Sequence, residues 1–306
     1  MKKQYSNFLK AFVTLAIILQ CLVVVGQTKD GKSLRLFLIG NSFSQNASKY
    51  LPQLAKEGGF DLTIGRAELP GCPLHKHWEL VEAAEANDPK GKAYNGKSLK
   101  DLLSEGKWDV VTIQQASILS GDVETYRPYA RKLYDYIKKV QPEAEVVFHQ
   151  TWAYRSDAPG FTQIGKGIYA KDDTEMWQKS RAAYHTIASE LGIRIIPVGD
   201  AFRKVTTSKK TAFKKDTRFN TKNAVKPALP NQKNSLHVGY QYNKEKLDFD
   251  SHHANNAGCY LGGLVWYTFL FKANPTKLSF KPEGVDEKFA RQLRKAANRV
   301  VEDQGN

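Results

Sequence analysis

The chain has 306 residues, 41% of them hydrophobic and 25% charged, with 46 Lys and Arg against 31 Asp and Glu for a formal charge of +15. That composition is that of an ordinary globular domain large enough to bury one core. The basic balance attracts polyanions of every kind and selects none, while the absence of zinc-finger spacing, a recognition helix or an aromatic RNA-binding signature excludes the common nucleic-acid modules.

In chain order, Lys2, Lys3 and Lys10 precede an uncharged run over residues 11–25. The run is shorter than the roughly 20 residues a membrane-spanning helix needs, and Gly26 offers a small residue before a cut at Gln27. Residues 1–26 are therefore predicted to be a cleaved signal peptide. A retained anchor is the competing reading and lacks the length; lipidation of Cys21 would need a small residue before it, where Gln20 stands. The remaining 27–306 are expected to form a single exported domain without a stable membrane anchor. Losing three lysines and no acid lowers the charge from +15 to +12. That charge either guides an acidic substrate or simply solubilises the surface. Cys72 and Cys259 remain in a compartment that permits disulfides, and either a pair or two free buried thiols is open, the latter preferred.

From residue 34 onward, apolar strand-like runs alternate with amphipathic stretches, the pattern of βαβ units around a parallel sheet. Strands are predicted over 34–40, 62–69, 108–114, 144–149 and 193–198. Helices are expected near 48–57, 77–85, 98–103, 125–139, 174–191 and 255–271. The glycine-rich 159–171 reads as a loop. So does a long basic insertion at about 204–247, where Pro227 and Pro230 prevent a continuous helix or central strand. Loops of that length are either functional or mobile; Lys209, Lys210, Lys214, Lys215 and Arg218 make this one a candidate lid or wall for an acidic substrate, or a solvated loop.

Ligands in such open sheets bind beyond the carboxyl ends of the strands. There the sequence places Gly40-Asn41-Ser42, Gly71-Cys72, Gln114-Gln115-Ala116-Ser117 and His149-Gln150-Thr151-Trp152. A serine hydroxyl needs a tight turn and a neighbouring base to become a nucleophile, and Ser42 follows an apolar strand and a glycine. Near the C-terminus, Asp250 and His253 are spaced so that the carboxylate reaches the imidazole Nδ1 while Nε2 faces the serine; His252 competes for that role. His77 and Trp152 are candidate substrate contacts, with packing as the alternative for the tryptophan. His75 with His77 makes too sparse a set for a metal.

These motifs resemble those of SGNH, or GDSL-type, hydrolases: a strand ending in Gly40-Asn41-Ser42, then Asp250-x-x-His253 with Gly258 five residues after the histidine. Within that class the chain looks most like an exported, uncharacterised group from gut-type bacteria. The resemblance covers residues 34–271. It implies a flavodoxin-like three-layer α/β/α sandwich with a five-stranded parallel sheet, and ester hydrolysis without metal or cofactor. It further implies a triad of Ser42, His253 and Asp250, and an oxyanion hole made by the amides of Ser42 and Gly71 and an amide side chain. The usual Gly-x-Asn-Asp block is absent. Gln114-Gln115-Ala116-Ser117 resembles the Gln-Gly-Glu-Ser of sialate O-acetylesterases, which puts Gln114 rather than Gln115 in the hole. The expected substrate is an acylated carbohydrate or polysaccharide, including acidic polysaccharide, with acetyl the simplest acyl group. A non-catalytic glycan-binding protein and an acyltransferase are the rival readings.

Overall fold

The first apolar run shows how the sheet is built. In a computed structural model of the chain, which describes residues 33–164 and 168–304, strand β1 (Ser33–Gly40) sends Leu36 and Leu38 into one buried cluster and Phe37 and Ile39 into another. A strand covered on both faces has to be apolar at successive positions, which is why this segment reads as a run and not as an alternation. Helices α1 (Ser42–Ser48) and α2 (Leu51–Glu57) lead to β2 (Asp61–Glu68), and α3 (Leu74–Glu85) and α4 (Leu99–Leu103) to β3 (Val110–Ile113). Helix α5 (Tyr129–Val140) precedes β4 (Glu145–His149). Then come the short β5 (Gln163–Ile164) and β6 (Ile168–Tyr169), α6 (Asp173–Leu191), β7 (Ile195–Ile196) and α7 (Val198–Thr207). The chain continues through β8 (His237–Asn243), β9 (Lys246–Ala254), α8 (Asn256–Phe271) and α9 (Glu287–Glu302).

The five-stranded parallel sheet has the order β2-β1-β3-β4-β7, the flavodoxin-like order. One core cluster lies between the sheet and α1, α2, α7, α8 and α9, the other between the sheet and α3 to α6. The chain leaves β1 towards β2 on one side and returns to β3 on the other, so a crevice opens at the carboxyl ends of β1 and β3. Helix α8 is apolar all round and almost wholly buried, as such a helix must be. A Cβ on Gly262 would stand 2.8 Å from Ala47 Cα, so this glycine lets α8 press directly on α1, the helix that Ser42 opens.

Several boundaries differ from the sequence reading. The fifth strand shrinks to two residues because Pro197 stops it and α7 begins at Val198. The 159–171 segment holds the antiparallel β5–β6 pair. The 204–247 insertion starts in α7 and ends in the separate antiparallel β8–β9 hairpin, so only 208–236, which contains Pro227 and Pro230, is largely irregular. Helix α9 was not expected, although Asp286 caps it and Phe289, Leu293, Ala297 and Val300 bury one face. Cys72 and Cys259 are both free and buried, and burial pushes their thiols up to about 12 and about 11. The predicted signal peptide lies outside the described residues, among which no helix is long and apolar enough to cross a membrane.

Candidate active site

The turn after β1 is braced from beneath. A Cβ on Gly40 would lie 2.6 Å from Ser44 Oγ and 2.9 Å from Gln114 Oε1, so only glycine allows the chain to pass here. Asn41 caps α1: its Oδ1 accepts from Phe43 N at 3.0 Å and from Gln114 Nε2 at 2.6 Å, while its Nδ2 donates to Cys72 O at 3.1 Å. Ser42 thus occupies the first helical position, where a backbone N–H has no intrahelical acceptor. Gln114 Oε1 accepts from His149 Nδ1 at 3.1 Å, which fixes the tautomer and leaves His149 Nε2 bare in the core. His77 Nε2 donates to Gly40 O at 3.1 Å, so its Nδ1 accepts from the Tyr94 hydroxyl at 2.7 Å. Burial holds both imidazoles neutral, His77 at about 4 and His149 at about 3.

Asp250 and His253 come from outside the main sheet. In a regular strand Asp250 and His253, three residues apart, would point to opposite faces. Here Asp250 pairs with Gly239 and Ala254 with His237, so four steps on β9 oppose two on β8, and the excess bulges out. The bulge folds back on its own carboxylate: Asp250 Oδ1 accepts from the backbone of His252 at 3.1 Å and of His253 at 2.9 Å. Asp250 Oδ2 then meets His253 Nδ1 at 2.8 Å, and His253 Nε2 meets Ser42 Oγ at 2.9 Å. Burial works to raise the Asp250 carboxyl, but the side-chain and backbone hydrogen bonds of His253 and the His252 amide outweigh it and hold the group well below the usual carboxylate range. Asn46 Oδ1 accepts from Ala254 N at 3.0 Å and ties this bulge to α1. Behind the hairpin, Arg155 N donates to Ser251 O at 2.9 Å. The Arg155 guanidinium pairs with Asp157, donates to Gln232 at 2.6 Å, and lies 4.5–5.4 Å from the rings of Phe213, Tyr240 and Phe249.

Ser42, Asp250 and His253 are therefore brought into one hydrogen-bonded line. Gly71 follows β2 in an exposed loop with φ 63°, and the bond from Asn41 to Cys72 ties that loop to the Ser42 turn. Three expectations need correction. Gln114 is turned inward, buried with its amide nitrogen on Asn41, so it braces the turn instead of facing substrate. Trp152 and His77 are also buried, at 1% and 0% exposure, and neither has a face for a sugar. Trp152 stacks on Phe202 at 4.5 Å and donates to His252 O; it is a packing residue. Gln115 likewise spends its amide on Thr125, Leu74 and Ala116.

Two further groups stand beside this line, His252, the competing candidate for the base, and Tyr154, which follows β4. His252 Nδ1 lies 3.1 Å from the same Asp250, its ring 4.0 Å from that of His253, and its burial, then the neighbouring His253, lowers its pKa. Tyr154, hydrogen-bonded to Ser117 at 3.0 Å, packs beside His252. Asp250, His252 and His253 also form a group of three that could hold a metal ion, with ligand atoms within 4.8 Å of one another.

The sequence model of the family described as "Domain of unknown function (DUF4886)" matches residues 35–224. The chain belongs to this family. The match includes Ser42, Gly71 and Gln114 and ends before the hairpin that carries Asp250 and His253. A crystal structure of a DUF4886 family protein from Bacteroides uniformis shares 25% identity, covers 90% of this chain and 96% of its own, and has a TM-score of 0.69. A putative GDSL-like lipase from Parabacteroides merdae overlays at 14% identity over 77% of this chain and 94% of its own, with a TM-score of 0.43. The lipopolysaccharide acetyltransferase periplasmic domain of Salmonella ser. Paratyphi A does so at 11% identity over 79% and 84%, with a TM-score of 0.42. No curated protein matches the chain.

Proposed function

We propose that this DUF4886 protein is an exported serine esterase that removes acetyl groups from carbohydrate. The observation that carries the reading is the continuous line from Ser42 Oγ through His253 to Asp250, at 2.9 and 2.8 Å. Because an ionised carboxylate only accepts, His253 Nδ1 bears the hydrogen and Nε2 is free to take the serine proton. Ser42 Oγ attacks the ester carbonyl carbon as its proton passes to Nε2. The backbone amides of Ser42 and Gly71 receive the oxyanion, with Gln114 and Asn41 holding the turn behind them. Collapse breaks the bond to the sugar oxygen, which leaves with the proton from Nε2. Water, deprotonated by the same nitrogen, then attacks the acyl-enzyme carbonyl, and Ser42 departs with its proton restored.

The His253 side chain is 34% exposed, so the reacting group is reached from solvent without a deep tunnel, which suits an ester on a large glycan. The test is acetate release from 4-nitrophenyl acetate and from acetylated polysaccharides by the wild type and by Ser42→Ala. Release by the wild type alone supports the reading; no release from any ester overturns it. Acetyl passed to an added acceptor sugar in preference to water would make the protein an acyltransferase.

A further inference from the structure

Alongside α1 lies a cavity of about 360 Å³ whose lining includes Gln45, Arg66, Glu68, Leu69, Asn95 and Lys97. Gln45 stands three residues after Ser42, so the two share a helix face with Cβ atoms roughly 5–6 Å apart. Leu69, two residues before Gly71, donates its N–H to Gly40 O at 3.1 Å. Two of its lining residues therefore neighbour the Ser42 turn and the loop beside it, and its volume lies within the ~300–1,000 Å³ range of sites for small ligands.

Its two polar walls are held rigidly. On one side the Glu68 carboxylate, 3% exposed, accepts from Ser44 Oγ at 2.6 Å and from Arg66 Nη1 at 2.9 Å, and Arg66 Nη2 donates to Ser48 Oγ at 3.1 Å. These bonds fix the Arg66 fork while 38% of its side chain stays open. On the other side, Tyr94 and Lys97 exchange both backbone hydrogen bonds at 3.1 Å around Asn95 and Gly96, whose φ values are 53° and 82°. That is a two-residue turn with both central residues left-handed, the tightest platform from which a chain can present side chains. It presents the Asn95 amide and the Lys97 ammonium, and Tyr94 is locked beneath by His77.

The hydrogen-bond inventory then selects the ligand. Glu68 spends its oxygens on Ser44 and Arg66. Arg66 has five N–H donors, of which the described contacts use two, and Lys97 has three, of which Glu105 takes one. A site rich in donors and cations fits a ligand that brings acceptors and negative charge, and an arginine fork fits a carboxylate in particular. Leu69 supplies an apolar surface for the C–H face of a ring.

The geometry points to a subsite for an acidic sugar, a uronic-acid-type residue whose carboxylate meets Arg66 and Lys97 beside the esterified sugar at Ser42. What lies next to the subsite rests on the esterase reading; binding itself does not. The experiment is calorimetry of Ser42→Ala with trigalacturonic acid and with neutral galactotriose, repeated with Lys97→Gln and Arg66→Gln added. A control adds Lys295→Gln, which removes one exposed positive charge from α9. The acid is expected to bind at least about tenfold more tightly than the neutral sugar, with that preference lost in the Lys97 and Arg66 variants and kept in the control. Equal binding of the two sugars overturns the subsite, and so does an equal loss in all three variants, because general surface charge then explains it. Wild-type hydrolysis of 4-nitrophenyl acetate is measured separately. If it fails while the carboxylate preference and its dependence on Lys97 persist, the subsite stands and the esterase reading falls.

Discussion

The two halves of the candidate catalytic line are built differently. Ser42 sits on the carboxyl end of a central strand, over a buried lattice in which Gln114, His149, His77 and Tyr94 leave the turn no alternative arrangement. Asp250 and His253 sit on a two-stranded hairpin outside the main sheet, 19% and 34% exposed in their side chains, in a bulge held by its own carboxylate and by single bonds with Asn46, Arg155 and Trp152. The position of Ser42 is thus an outcome of the core, whereas His253 is positioned mainly by hydrogen bonds of its own bulge. Changes beneath the turn should cost stability first, and changes at the hairpin should cost rate first.

The largest expected effect is on rate alone. Asp250→Asn removes the acceptor that fixes the His253 tautomer, and His253→Ala removes the base; each is expected to lower kcat about 10⁴-fold or more. Both should melt close to the wild type, since the residues they alter are partly exposed. A large fall in melting temperature with either would mean the hairpin is structural in the way the nucleophile turn is.

Acid should act on the core in the opposite way. His77, His149 and His237 are held neutral by burial, at about 4, about 3 and about 4, against roughly 6.5 in an unfolded chain. Above pH 6.5 neither state binds these protons, so the stability is fully present. Below it the unfolded chain takes them up while the folded one does not, and the loss grows until the folded values are reached. At pH 5 this amounts to about 2 kcal/mol for each histidine, a large share of a typical total of about 5–15 kcal/mol. Denaturant melts at pH 7.5 and pH 5 should show it. Equal midpoints would mean these imidazoles reach solvent.

Smaller changes separate the regions more finely. Gln114→Ala leaves Asn41 Oδ1 and His149 Nδ1 short of a buried partner and is expected to cost about 1–3 kcal/mol in denaturant melts, together with a fall in kcat. Asn46→Ala frees the bulge from α1; it should cost about 1 kcal/mol or less but lower kcat about ten- to hundredfold, because a misplaced base is costly. If Asn46→Ala lowered stability more than Gln114→Ala, the contrast between the halves would be reversed.

The layering of the fold was legible because strands buried on both faces leave unbroken apolar runs, and because Gly40 marks where the first strand must turn; the stop at Pro197 was read through. Ser42, Asp250 and His253 were legible as candidates from residue type and neighbours. The bulge that sets Asp250 and His253 side by side was not, since a register shift depends on what the opposite strand does. The β8–β9 hairpin was hidden for a related reason: Lys and Asn dominate the insertion, while its apolar positions, Tyr240 and Phe249 among them, gain meaning only from Arg155 packed on them. Trp152 and His77 misled because a strand end predicts nearness to the crevice but not which way a side chain faces.

Arg155 gives the insertion a role that its composition conceals. A Cβ on Gly239 would stand 2.0 Å from the Arg155 guanidinium, so the hairpin has given up a side chain to let this group through. Phe213 and Gln232, from the two ends of the irregular stretch, close on the same guanidinium. The ribbon is therefore anchored at both ends to the back of the strand that carries His253. A protease cut between residues 214 and 231 would separate those anchors, and the damage would emerge as slower turnover at a serine the ribbon never touches.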